Sequence, residues 1–115
     1  MKVTENSYTV YILTNLNKTV LYTGLTNNLE QRITEHYIDR IEKKTFCGKY
    51  NCHFLLHYES YKYINDAIAR EKEIKGWVRI KKENLIAATN PEWKFLNTEL
   101  IGEWPPLNLY HRKNI

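Results

Sequence analysis

Apolar and polar positions alternate in short runs at the start of the chain. The segments YTVYILT from Tyr8 and TVLYTGLT from Thr19 are rich in Tyr, Val, Ile, Leu and Thr, and Asn15, Asn17 and Lys18 separate them. This is the pattern of two antiparallel strands joined by a turn. A turn centred between Leu16 and Asn17 sets Tyr11 directly opposite Tyr22, on one face, with Cβ atoms about 4.5–5.5 Å apart. A slip of one residue would send one phenol to the other face. After Gly24, the side-chain oxygens of Thr26, Asn27 and Asn28 can cap a helix, and Glu30 completes a capping box with Asn27. Leu29, Ile33, Tyr37 and Ile41 recur at four-residue spacing, the apolar stripe of a helix reaching about Arg40 or Lys44. On its neighbouring edge Arg32 and His36 stand one above the other. Two tyrosines, an arginine and a histidine therefore converge.

The stretch EKKTFCGKYN, with Gly48, breaks this rhythm and reads as a loop. CHFLLHYES gives a third strand that pairs with the hairpin. A second helix runs from about Asn65 to Lys75 and stops at Gly76. A third, KKENLIAAT, stops at Asn90-Pro91, and Pro91 to Trp93 start a short helix reaching Leu96. The last stretch, with Trp104 and two prolines, reads as an extended tail. The expected fold is α/β of the α+β kind: a three-stranded antiparallel sheet flanked by helices. Residues 1–96 form the domain and 97–115 a tail packed on it.

A chain of 115 residues has room for one domain. No apolar run approaches a bilayer span, and MKVTENS lacks the core of a secretory signal, so a cytoplasmic protein is expected. Cys47 and Cys52 are then thiols. Together with His53 and His57 they lack a usual zinc spacing, and His53 and His57 fall on one face of the third strand. A net charge of +4 and a pI near 9.0 suit a polyanion. Lys72, Lys75, Arg79, Lys81 and Lys82, with Trp77 among them, form a stretch that can track a nucleic-acid backbone without reading sequence.

These residues resemble the GIY-YIG nuclease superfamily, named for two tripeptides on adjacent strands that precede a helix bearing an Arg and a His or Tyr. Here the tripeptides are Thr9-Val10-Tyr11 and Tyr22-Thr23-Gly24. The spacing of Tyr11, Tyr22, Arg32 and His36, the glycine at 24 and the helix entry TNNLEQRITEH match. Thr9, Val10 and Thr23 depart from the family's Gly, Ile and Ile, at backbone or packing positions. The likeness covers about residues 8–96. It includes Ala67-x-x-x-Glu71 and the run IKGWVRIKKENLIAATNPEW, which looks like the small stand-alone bacterial branch.

The resemblance implies a metal-dependent endonuclease that hydrolyses DNA phosphodiesters, here with low sequence specificity. Glu71 matches the acidic ligand of Mg²⁺ or Mn²⁺, and Glu73 points elsewhere on the same helix. Tyr11 deprotonates the attacking water directly or as a relay, once Arg32, a metal-bound water or His36 lowers its pKa from near 10. Arg32 grips the phosphate, and His36 and Tyr22 position phosphate, water or the other phenol. Asn90 stands at the family's Asn after the helix, with Asn84 as the nearby alternative. The assignment requires the Tyr11 phenol and Glu71 to share a pocket on one side of the sheet. Duplex or branched DNA is the expected partner, together with a separate targeting protein.

Each side chain alone has an ordinary explanation. Strand tyrosines pack, Arg32 can pair with Glu35 or Glu71, His36 can face solvent, and Glu71 with Lys75 is an i,i+4 helix pair. Two rivals follow: a DNA-binding module of the same fold that does not cut, and a protein-interaction domain using the aromatic tail around Trp104.

Overall fold

The computed structural model describes residues 7–106. In order they form β1 (Tyr8–Thr14), β2 (Leu21–Thr26), α1 (Leu29–Ile38), α2 (Phe46–Tyr50), β3 (Phe54–Tyr61), α3 (Ile64–Lys75), α4 (Arg79–Thr89) and α5 (Asn97–Ile101). The nearly unbroken apolar run of β1 makes it the middle strand of a three-stranded antiparallel sheet ordered β2-β1-β3. Tyr11 and Leu13 project to one face, where they pack with Leu29 and Ile33 of α1, Cys47 of α2, and Cys52 and Leu55. Val10 and Ile12 project to the other, against Ala67 and Ile74 of α3 and Ile86 of α4. Each large apolar side chain so buried contributes roughly 1.5–3 kcal/mol.

The hairpin register differs from the expected one by two residues. Tyr11 pairs with Gly24 and Leu13 with Tyr22. The cause lies in the turn: Asn15 Oδ1 accepts from Thr19 N (2.8 Å) and Val20 N (3.1 Å), and Lys18 takes a left-handed φ of 59°. An even shift preserves the alternation of faces, so Tyr11 and Tyr22 remain on one side as diagonal neighbours.

The cap of α1 is Asn28, not Asn27. Its Oδ1 accepts from Gln31 N at 3.1 Å and its Nδ2 donates to Gln31 Oε1 at 3.2 Å. The buried stripe is Leu29, Ile33 and His36, while Ile41, expected within it, lies past the helix end and is exposed. The segment expected as a loop contains α2, capped by Thr45. In β3 a bulge opposite Ile12/Leu13 inserts an extra residue and reverses the alternation. His53 and His57 therefore do not share a face, contrary to expectation: His53 packs against Tyr37 and Trp104, whereas His57 points toward α4.

No helix spans Pro91 to Leu96; the helix of this region is α5. Leu96 N donates to Leu55 O (2.8 Å), Asn97 Oδ1 accepts from Leu55 N (2.8 Å), and Asn97 Nδ2 donates to His53 O (2.8 Å). The start of the tail is thus fastened to β3, and Trp104 packs inward. The rest of the tail lies outside the described residues. Among the described residues no helix is long and apolar enough to cross a membrane.

Candidate active site at the edge of the sheet

Tyr11 is 1% exposed, and its hydroxyl shares a 3.1 Å hydrogen bond with His36 Nε2. Tyr22 closes a triangle of rings, with its centroid 6.3 Å from that of Tyr11 and 5.6 Å from that of His36. Gly24 makes the room. It lies across from Tyr11, and a Cβ there would overlap the phenol carbon Cζ and the hydroxyl. The tripeptide departures sit at packing positions: Val10 and Thr9 are fully buried and Thr23 nearly so.

His36 is buried, not solvated. Burial first, then the charge of Arg32, lowers its pKa to about 4, so the ring is uncharged near neutrality. Burial, reinforced by Tyr22, raises Tyr11 above the ordinary phenol range although Arg32 pulls the other way. This corrects the expectation of a lowered pKa: desolvation outweighs the guanidinium. Two neutral groups share one hydrogen bond, and which of them donates in it is set by the His36 tautomer.

Arg32 forms a half-exposed ion pair with Glu35 at 3.1 Å. It also borders an open groove of about 510 Å³ flanked by Asn27, Asn28, Gln31 and Glu35. Arg32 thus links the buried phenol to a space of nucleotide size.

Glu71 does not share the Tyr11 side of the sheet. Ala67, Glu71 and Ile74 form the inward stripe of α3, and Ala67 and Ile74 pack on the Val10/Ile12 face. Tyr22, on the edge strand β2, is the residue that interacts electrostatically with both. Burial and Cys47 raise the pKa of Tyr22, Lys75 and Arg32 oppose the rise, and Glu71 adds to it. The requirement of one pocket on one side of the sheet is therefore not met, and what links the acid to the phenols is the electrostatic effect of Glu71 on Tyr22. The Glu71 side chain is 19% exposed and takes Lys75 Nζ at 3.2 Å.

Glu71 does not line the groove at Arg32, and as one hard carboxylate it fits a divalent cation held mainly by water and substrate oxygens. It does not fit a closed protein cage. Among the described residues no three His, Cys, Asp or Glu side chains group to hold a metal ion. Cys47 and Cys52 are buried free thiols.

The remaining expected residues are not gathered here. Asn90 caps α4 and donates to Leu56 O (3.0 Å) and Lys94 O (2.9 Å) while accepting from Lys94 N (3.1 Å), so its amide is occupied in holding β3 and the following turn. Asn84 is exposed on α4. Arg79 donates to Thr19 O (2.8 Å), Lys18 O (3.2 Å) and Glu83 (2.9 Å), clamping the hairpin turn to α4. Lys81 lies over Trp77 and Lys75 on Glu71, while Lys72 is exposed and Lys82 half-buried.

Two features escaped the sequence reading. One is an aromatic run on α2, where Phe46 stacks on Tyr22 (5.8 Å, 25°) and contacts Tyr50 (4.7 Å). The other is a polar cluster on the opposite face. Glu59 accepts from Arg70 Nε (2.8 Å), Arg70 Nη2 (3.1 Å) and Tyr61 (2.7 Å) and is joined to His57 Nε2 (2.7 Å). His57 and Glu59, two residues apart in the regular part of β3, share one side by ordinary strand alternation.

Residues 7–84 match the family described as the GIY-YIG catalytic domain. The chain belongs to this nuclease family. A UPF0213 protein of Natronomonas pharaonis is 40% identical over 78 residues, covering 68% of this chain and 88% of the relative. One from Pediococcus acidilactici, named for its place in the ldhD 5′ region, is 37% identical over 78 residues, covering 68% and 79%. The solution NMR structure of a UPF0213 protein from Bacillus halodurans superposes with a TM-score of 0.50 at 26% identity, covering 80% of this chain and 95% of that one.

Proposed function

We propose that this protein is an endonuclease that hydrolyses DNA phosphodiesters at the β2 edge, with Mg²⁺ or Mn²⁺ held at Glu71. The observation that carries the reading is the hydrogen bond between uncharged Tyr11 and uncharged His36 beside the Arg32 guanidinium. Such a pair acts as a relay: the Tyr11 oxygen takes a proton from the attacking water as its own proton passes to His36 Nε2. Burial makes His36 a weak base at rest, and negative charge building on the phosphorane favours the imidazolium it becomes. Arg32, at the groove, gives up Glu35 for a phosphate oxygen and stabilises the same charge. Tyr22 orients water or phosphate between Tyr11 and Glu71. The cation, when bound, supplies charge neutralisation at the phosphate.

Supercoiled, nicked and branched DNA incubated with the protein in Mg²⁺ or Mn²⁺ tests this. Nicking is expected, with Tyr11→Phe, Arg32→Ala and Glu71→Ala each slowing it by roughly 10²-fold or more. Equal nicking by these variants, or no nicking of any substrate, would overturn the proposal. The Lys75 ammonium on Glu71 favours a second reading, a DNA-binding module whose acid is closed to cations. Binding without cleavage in either metal would select it. Trp104, the residue around which a protein-interaction reading was built, packs against Tyr37 and His53, and the tail past residue 106 lies outside the described residues.

A further inference from the structure

The five-residue helix α2 buries little beyond Cys47 and Gly48, yet it is held from several directions. Asp39 Oδ2 accepts from Thr45 N (2.7 Å) and Thr45 Oγ1 (2.6 Å), Asp39 Oδ1 accepts from Lys44 N (3.2 Å), and Thr45 Oγ1 accepts from Gly48 N (3.1 Å). Gly48 lies so close to Asp39 that any side chain would overlap the carboxylate. This scaffold holds Phe46 and Tyr50 at the surface, 47% and 43% exposed.

Phe46 is stacked on Tyr22, which meets His36 edge-on, and Tyr50 contacts Phe46 at a tilt, so a chain of touching rings leads outward from the proposed reacting centre. Lys49 Nζ lies over the Tyr50 ring at 5.5 Å, placing positive charge beside the rings where a polyanion would lie. The exposed Phe46 and Tyr50 rings are tilted 46° to each other, and the contacts that hold α2 let Phe46, already stacked on Tyr22, offer flat area at little ordering cost. A flat purine or pyrimidine matches that area and its polyanionic backbone matches the lysine.

We infer that Phe46 and Tyr50 form a stacking platform for an unpaired nucleobase adjacent to the phosphodiester that is cut. The inference rests on the nuclease reading above, which seats that phosphodiester at Tyr11 and Arg32. A base within a duplex already has neighbours on both faces and cannot reach Phe46. A base that is splayed out or single-stranded can. Neither ring reads base edges, so the platform tolerates any sequence.

The test measures binding in EDTA, apart from cleavage. The full chain and its Phe46→Leu, Phe46→Tyr and Tyr50→Leu variants, each checked for an unchanged circular dichroism spectrum, are titrated into a labelled single-stranded oligonucleotide and its duplex. A single-stranded hexamer carrying one 2-aminopurine reports stacking by quenching. Phe46→Leu is expected to weaken single-strand binding by about 5- to 150-fold, the worth of one base–aromatic stack, and to abolish the quench. Phe46→Tyr retains both, Tyr50→Leu shows a smaller loss, and duplex affinity changes less than twofold. Unchanged single-strand affinity in Phe46→Leu, or equal losses on both substrates, overturns the platform while leaving cleavage by the wild type to stand. Quenching lost with Phe46→Leu in a protein that cuts nothing in Mg²⁺ or Mn²⁺ supports the platform and sinks the nuclease reading. Failure to bind either substrate sinks both.

Discussion

The two faces of the sheet each bury a polar cluster, and the clusters are built in opposite ways. Around Glu59 both carboxylate oxygens are engaged twice, by Arg70, Tyr61 and His57. Burial would push that carboxyl up, but Arg70, then His57 and Tyr61, outweigh it and draw the pKa down to about 2. Around Tyr11 the hydroxyl is shared with His36 and faces the Arg32 guanidinium, and burial keeps phenol and imidazole neutral. A saturated ion cluster has no capacity left for a substrate and acts as a clamp. A sparsely bonded neutral pair keeps its capacity for proton transfer.

The largest effect expected from breaking this contrast is at Glu59. Glu59→Gln leaves Arg70 without its main counter-charge and should cost about 2–3 kcal/mol in urea unfolding, while nicking per folded molecule stays near wild type. Loss of nicking beyond the loss of folded protein would mean the clamp also serves the site. Next comes Gly24→Ala, whose methyl must displace the Tyr11 ring. About 1–3 kcal/mol of destabilisation and slower nicking should appear together, and an unchanged enzyme would show that the ring moves freely.

The two faces should also fail in different pH windows. His36 and His53 are lowered to about 4, in both cases chiefly by burial, so between about pH 4 and 6.5 the unfolded chain binds protons that the folded one does not. Stability then rises with pH through that window, by up to about 1.4 kcal/mol per pH unit for each histidine. Glu59 works lower: its contribution is present above about 4.5 and disappears as pH falls toward 2. Thermal melts across pH 3 to 8 measure both. A flat profile from 4.5 to 6.5 would contradict the buried neutral histidines. The smallest effect is Asn28→Ala, which removes the α1 cap and should cost about 1 kcal/mol without altering the Tyr11–His36 pair.

Local chemistry was legible in the sequence wherever it acted within one element or across one turn. Apolar runs in β1 and β2, the four-residue spacing of Arg32 and His36, and Gly76 at the end of α3 all carry short-range signals. The hairpin register was not, because it turned on Asn15 reaching Thr19 and Val20 with its side chain. Nor was the split of His53 from His57, which needs a bulge set by pairing with β1. Glu71 was readable as an inward-facing helix residue, but the side of the sheet it would occupy depended on how the chain crosses after β3. Asn90 illustrates the converse: a polar residue at a family position whose amide is occupied by backbone partners.

The clamp that Arg79 makes on the hairpin turn has a consequence for how the molecule answers ionic strength. Its guanidinium is committed to two carbonyls and to Glu83, and Lys75 is committed to Glu71. A cation already spent inside the fold releases no counterion when a polyanion arrives. The decline of DNA affinity with salt, about 0.9 per phosphate neutralised on a double-logarithmic plot, will therefore be shallower than the run of basic residues from 72 to 82 suggests.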